Sequence, residues 1–366
     1  MSGYVSVVIY WDHMAGSPLR PEAMAAMAAA VSAAGNAASP HAAGRTARRA
    51  LDACRDTLAR LCGAASLRVV LTSGRHESNS LAVLGTVRSA QAREGRNRVL
   101  LSAVDHPTVR DCATTLAAEG VRVEWIEAEA SGRVDPGKVS RQLGADVALV
   151  TLALASDATG ILQPVAEVAA AAAVHGVPLH CDVAPVAGRQ PLDLIGLGVA
   201  SATVAAPMIG GPRGAGALLR RSDLELEPLW WGGSQEEGVR PGTQATLLAR
   251  GLAAAATSAR EQLPRGAAID ELRNALQQQL LAIEGAGVVG ADAPRLTGTL
   301  AVGFAGLPTA RLVARLSAAG LMVGSGAASV IRISLGWDAN ASEVTQGVAL
   351  VRSVVAELRL SAACAS

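Results

Sequence analysis

The sequence predicts an α/β fold: a mainly parallel sheet flanked by helices, followed by a smaller C-terminal α+β domain. Three observations predict it. Between Leu67 and about Arg250, short Val/Leu-rich runs alternate with Ala-rich amphipathic runs, the pattern of strands joined by crossover helices. The chain has 366 residues, half of them hydrophobic and only 2% aromatic, so a large interior must be built from Ala-rich helix faces and Val/Leu strands. A polar, Pro-containing stretch, Arg260–Gly266, then separates these repeats from a shorter mixture of helices and strands. The division expected is a large domain over 1–263, including an N-terminal arm, and a small domain over 264–366.

The elements follow in order. Tyr4–Asp12 reads as a strand, and Pro18 and Pro21 open an Ala/Met helix. Gly35–His41 is a turn containing Asn36, and Ala42–Leu61 is a helix. The strands expected next are Val69–Thr72, Val99–Ser102, Val121–Ile126, Val147–Leu154, Pro178–Asp182 and Ala202–Val204. Gly251–Leu263 is a helix. The small domain reads as helix Ala268–Glu284, strand Thr299–Phe304, helix Thr309–Ala319, strand Ile331–Leu335 and helix Ala341–Leu360.

Composition excludes several functions. A net charge of +1 marks no nucleic-acid partner. No apolar run approaches the ~20 residues of a membrane span, and the N-terminus carries no signal-peptide pattern, so a cytoplasmic protein is expected. The five cysteines are dispersed without metal-ligand spacing and read as reduced and structural, with no metal expected.

Chemistry concentrates at strand ends. Thr72–Asn79 ends a strand and begins a helix, so Gly74 and its neighbours offer free N–H groups to an anion. Arg75 and His76 lie in this turn; Arg75 would grip an oxyanion with its fork, or fill volume. Asp105-His106 ends another strand, where His106 suits acid–base work near neutrality or serves as a satisfied structural group. Ser156 opens the turn Ser156–Gly160. In His180–Pro185, Asp182 would orient a histidine or bind a substrate amine, or be a buried carboxylate held by hydrogen bonds. Gly/Pro-rich Ala205–Gly214 surrounds Met208. Arg240 and Thr243 lie in Gly232–Thr243, and Arg332 lies in Ser325–Gly336.

Taken together and in order, these motifs resemble the cysteine desulfurases, class V aminotransferases of pyridoxal-phosphate fold type I. The resemblance spans essentially the whole chain. It implies that Gly74 and its turn hold an anion, that His106 stacks and moves protons, and that Asp182 faces a pyridine nitrogen. It also implies that Arg332 binds an amino-acid carboxylate, and that Arg240 and Thr243 reach across a dimer interface. Asn36 falls in the family's Gly-Asn-Pro-Ser-Ser-x-His turn, and Ser156 stands where the family has an Asn at the cofactor. Two positions depart decisively. Met208 occupies the Schiff-base lysine's place, and the sole lysine, Lys138, sits in a polar turn. Ala327-Ala328 stand near the nucleophilic cysteine's position. A thioether forms no imine, so the expectation is a scaffold without pyridoxal phosphate. Such an enzyme would act on a small anionic amino-acid-like substrate through His106, Asp182 and His76. Arg75, Gly74, Asn36, Ser156, Arg240, Thr243 and Arg332 would bind the substrate. Elimination or aziridine-type ring closure in specialised biosynthesis would suit such a site. The alternative is an inactive subunit that completes a related chain's site. A homodimer or heterodimer is expected in either case.

Overall fold

A computed structural model describes residues 8–326 and 329–363. Its large sheet has seven strands, in the spatial order Arg68–Thr72, Gly216–Arg220, Ser201–Ala205, Leu179–Asp182, Val147–Thr151, Arg98–Ser102 and Arg122–Ile126. The last five run parallel to one another; Gly216–Arg220 is antiparallel to both of its neighbours. All five residues of Val147–Thr151 are buried, as are those of Arg98–Ser102. That is the burial expected of parallel strands covered by helices on both faces. The mainly parallel α/β sheet flanked by helices is therefore the observed fold.

Local signals explain the helix boundaries. Ala42–Leu61 begins where the His41 ring accepts from the Gly44 N–H, 3.2 Å. Arg75–Glu94 ends at Gly95, whose φ of 70° gives the left-handed cap that glycine adopts cheaply. Asp135 caps Pro136–Gln142 by accepting from the Gly137 N–H.

The second sheet has five strands: Ile9–Trp11, Leu321–Ser325, Val330–Ser334, Thr299–Phe304 and Ala286–Val288. Ile9–Trp11 pairs in parallel with Leu321–Ser325, so the N-terminal strand belongs to this sheet and not to the seven-stranded one. Trp11 is wholly buried there among Leu276, Leu300, Ile333 and Val351. The stretch Arg260–Gly266 is not an open linker. Helix Thr246–Gln262 passes through a 3-10 turn, Leu263–Arg265, straight into helix Gly266–Leu281. Pro264 is tolerated because it falls in the first turn of the short helix, where its missing N–H has no partner to lose. The ends of strands Leu179–Asp182, Val147–Thr151 and Arg98–Ser102, together with the start of helix Arg75–Glu94, face the second sheet's Arg332. This is the edge of an α/β sheet at which ligands collect.

Candidate active site

Arg75 is the first residue of its helix, and its side chain lies over the ends of the parallel strands. Gly74 before it has φ 148°, a left-handed backbone that favours glycine. Arg75 Nε donates to Asp182 Oδ2 at 2.7 Å. Its two terminal nitrogens donate to the two carboxylate oxygens of Asp157, at 2.8 and 2.5 Å. The guanidinium is thus shared by two carboxylates in a bidentate and a single charge-assisted contact. Burial would lower the Arg75 pKa, but Asp182 and Asp157 beside it raise it above the ordinary arginine value. Burial would raise the Asp182 carboxyl, yet Arg75, Asn79 and the Ala184 N–H hold it below the usual range. The three groups together carry one surplus negative charge.

A hydrogen-bonded chain runs outward from Asp182. Asn79 donates from Nδ2 to Asp182 at 2.8 Å and to Thr108 Oγ1 at 2.7 Å. Its Oδ1 must then accept, and the group 3.1 Å away is His180 Nε2. His180 therefore carries its proton on Nε2 and accepts from Ser201 at Nδ1, 2.9 Å. Burial pushes His180 down to about 4, keeping it neutral. Thr108, having accepted from Asn79, donates its own hydroxyl proton to His106 Nδ1, 2.9 Å. The Thr108 backbone N–H caps the same nitrogen at 3.2 Å. Neutral His106 accordingly carries its proton on Nε2. Burial and then Arg75 lower its pKa, favouring a neutral imidazole at pH 7. Asp105, buried next to it, is pushed up to about 7 by burial against hydrogen bonds from Thr151 and the Ala153 N–H.

Arg332 enters from the second sheet. It donates to the Asp157 carbonyl at 2.9 Å and to Asp12 Oδ1 at 2.6 Å. Its Nε is buried and has no hydrogen-bond partner within the chain. Ser156 is buried beside Asp157, its backbone closing the turn with Ile161 and Gly160. Met208 lies in a 3-10 turn, Ala206–Ile209, and packs in an apolar cluster with Met14, Ala184, Val186, Ala205 and Leu296.

The structure thus gathers Arg75, Asp182, His106, Ser156 and Arg332, with Gly74 at the helix start. It does not gather the rest. His76 is exposed and forms no side-chain hydrogen bond among the described residues. Asn36 is exposed, and its side chain accepts from the Ala38 N–H in a local turn. Thr243 is exposed. Arg240 donates to Glu77 Oε1 of the same chain at 2.8 Å, while Glu77 Oε2 accepts from the Ser73 N–H. Ala327 and Ala328 lie outside the described residues. Asp157, Asn79 and Thr108 were not foreseen as site residues. Asn79 was legible as a polar residue one turn after Arg75 on the same helix face, whereas nothing local marked Asp157 or Thr108.

The described cysteines supply no nucleophile. Cys54, Cys62, Cys112 and Cys181 are buried, and burial pushes the thiols of Cys54 and Cys62 up to about 12 and that of Cys112 to about 11. Among the described residues, no cluster of three or more His, Cys, Asp or Glu side chains could hold a metal.

With the geometry established, comparison with known proteins identifies the family. The family model for class-V aminotransferases matches residues 9–346. The chain belongs to the class-V aminotransferases. It is 36% identical over 345 residues to an IscS-like cysteine desulfurase of Mycobacterium tuberculosis, covering 90% of this chain and 88% of that protein. It is 35% identical over 310 residues to the cysteine desulfurase IscS of Anaeromyxobacter dehalogenans, covering 82% and 76%. Two solved structures share the class-V fold: a NifS-like protein of Rickettsia africae, TM-score 0.88 at 22% identity, and a second NifS-like protein, TM-score 0.89 at 24% identity. They cover 95% and 96% of this chain, and 99% and 100% of their own.

This membership overturns the expectation that no cofactor is used. Relatives named cysteine desulfurases, in a family that works with pyridoxal phosphate, point to pyridoxal phosphate and not to an empty scaffold. The side chains present meet that group only in part. Asp182, Asn79 and the helix that starts after Gly74 lie together at the strand ends. Position 208 offers sulfur and no amine, and Lys138 is exposed on another helix, bonded to Glu129. Both Asp182 oxygens already accept within the chain, Oδ2 from Arg75 and Asn79 and Oδ1 from the Ala184 N–H. The described residues therefore do not fit the imine-linked form of the cofactor. No described helix is long and apolar enough to cross a membrane.

Proposed function

We propose that this chain is a class-V enzyme that has lost the lysine and cysteine of the desulfurases and acts on an amino-acid-like substrate bearing a second anionic group, a phosphate or sulfate. The observation that carries this reading is the meeting of Arg332 and Arg75 on one residue, Asp157. It puts a carboxylate-binding fork from the second sheet beside the helix start of the first. The substrate carboxylate takes Arg332. The second anion takes the N–H groups after Gly74, where the helix has no side-chain cap. The surplus negative charge on Asp157 and Asp182 attracts the substrate's ammonium group.

His106, neutral with Nδ1 held by Thr108, presents its Nε2–H as a hydrogen-bond donor to the departing anion. In the ring-closing version, the substrate amine attacks the carbon bearing the anionic group. The C–N bond forms as the C–O bond breaks, phosphate or sulfate leaves with the electron pair, and the proton lost by nitrogen passes to the departing anion or to water. In the elimination version the adjacent carbon loses its proton to water as the C–O bond breaks and the C=C bond forms. The helix-start N–H groups stabilise the departing anion in both.

The test is direct. Purified protein is incubated with O-sulfo- and O-phospho-amino acids and their diamino analogues, with and without pyridoxal phosphate, and released sulfate or phosphate is measured. Release that is abolished by His106→Gln and weakened by Arg332→Lys supports the reading; no release from any of them removes it. A second reading is favoured by the exposed Trp230 and Trp231 beside the Gly232–Thr243 loop, which suit a partner surface. On that reading the chain pairs with a related one and lends it Thr243. A chain that is only ever a homodimer, with full activity alone, eliminates it.

A further inference from the structure

A small cavity beside Met208 is lined by Arg20, Arg189, Arg265, Trp337, Thr297 and Leu335 among others, and by neither Arg75 nor Asp182. No aspartate or glutamate lines it. Arg20 is almost fully buried, yet its guanidinium meets only neutral groups. Nε donates to the Ile209 carbonyl at 2.8 Å, a terminal nitrogen donates to Gln262 at 2.7 Å, and the plane stacks 3.8 Å over Trp337. Arg189 donates only to the Leu335 carbonyl at 3.1 Å, and its Nε is buried without a partner in the chain. Glu22 and Asp338 influence Arg20, but neither forms an ion pair with it or lines the cavity. Two cations are thus set side by side with donors to spare and no counter-charge. Leaving buried cations uncompensated is costly.

We propose that Arg20 and Arg189 form a binding pocket for a small oxyanion: a carboxylate, sulfate or phosphate group. The size agrees. The cavity holds about 40 Å³, a few times the ~10–15 Å³ that one water needs by the same measure. That suits a head group of three to five heavy atoms. Planar guanidinium forks bind such groups at two oxygens. An open groove of about 840 Å³ shares Arg189 and Thr297 with the cavity, so the body of a larger molecule has room while its anionic head sits between the two arginines. Burial pushes both arginines down to about 10, with Arg332 and Arg20 adding repulsion on Arg189, and a bound anion relieves both effects. This pocket is separate from the reaction proposed above and is tested separately from it.

The experiment titrates the full chain with sodium sulfate, inorganic phosphate or acetate at constant ionic strength set with sodium chloride. Thermal unfolding and calorimetry are the readouts. The expected result is a raised unfolding midpoint and saturable binding for at least one oxyanion, weakened about tenfold or more by Arg189→Gln. Acetate alone acting assigns a carboxylate; sulfate or phosphate acting assigns a tetrahedral anion. Arg20 also packs on Trp337, so its removal risks the fold. Crystals soaked in selenate provide the second measurement, with an anomalous peak expected between Arg20 and Arg189. No response beyond the chloride control, an undiminished response in Arg189→Gln, or selenate located only at Arg332 or the helix start each overturns the proposal.

Discussion

Arg75 Nε lies 2.7 Å from Asp182 Oδ2, and that bond links the first residue of a helix to the last residue of a parallel strand. Asp182 is 1% exposed, so its charge depends on this partner. Removing only the cation leaves a buried carboxylate uncompensated, which costs ~3–5 kcal/mol. Arg75→Met should therefore lower the urea midpoint strongly. Arg75→Met combined with Asp182→Asn should cost less than the two single changes summed. A strictly additive double variant would show that the pair is not coupled.

Stability should rise with pH across the weakly acidic range. His13 and His180 are pushed from 6.5 to about 4, each chiefly by burial. The unfolded chain therefore binds two more protons there than the folded one, and stability is lost as pH falls below the ordinary histidine value. Asp105 acts in the opposite sense. Raised from 3.8 to about 7, it keeps a proton in the folded state that the unfolded chain has released. The balance is a little under one proton near about pH 5 to 5.5, or ~1 kcal/mol per pH unit, and it shrinks towards about pH 6.5 as the unfolded histidines lose their protons. The lowered His106 adds to the same slope. Urea midpoints measured across that range should climb with pH, more steeply in Asp105→Asn and less steeply in His180→Gln. A flat or falling profile in the native chain contradicts the assignment.

Met208→Lys places an amine in the apolar cluster of Met14, Ala184, Ala205 and Leu296. Burial lowers an ammonium's pKa and leaves a nucleophilic amine. With pyridoxal phosphate and borohydride, the variant should yield a reduced adduct on the peptide carrying residue 208. Adding Arg75→Gln should raise the yield, because it releases the Asp182 oxygen now bound by Arg75. A variant with native far-ultraviolet circular dichroism but no adduct at 208 would show that this side chain does not face the cofactor's place.

Much of this was legible in sequence because periodicity and turn chemistry are local. Helix Ala42–Leu61 and strand Thr299–Phe304 fall at the residues expected. Strands Leu321–Ser325 and Ala286–Val288 were not read, being short segments of a sheet whose pairing comes from distant residues. Which sheet the N-terminal strand joins was not legible for the same reason: its partner lies more than 300 residues away. Asp182, His106 and Arg332 could be picked out because they sit in motifs. Asp157 could not. Its role arises only when Arg75 and Arg332, one from each sheet, converge on it. The expected anion-binding role of Arg75 is likewise changed by two carboxylates that the sequence leaves far apart.

Arg332 holds three positions at once. One terminal nitrogen reaches the Asp157 carbonyl, the other reaches Asp12, and Nε is buried without a partner in the chain. Lysine keeps the charge but has no planar fork, so it cannot reproduce two directed contacts and still present a donor to a carboxylate. Arg332→Lys should therefore weaken binding of O-phospho-L-serine about 10- to 100-fold by calorimetry. Its effect on the unfolding midpoint should be smaller than that of Arg75→Met, because the positive charge beside Asp12 remains. If turnover is established, the loss should appear mainly in KM, since carboxylate binding is the same in ground and transition states. Unchanged affinity in a folded Arg332→Lys protein would move the substrate carboxylate elsewhere in the cleft.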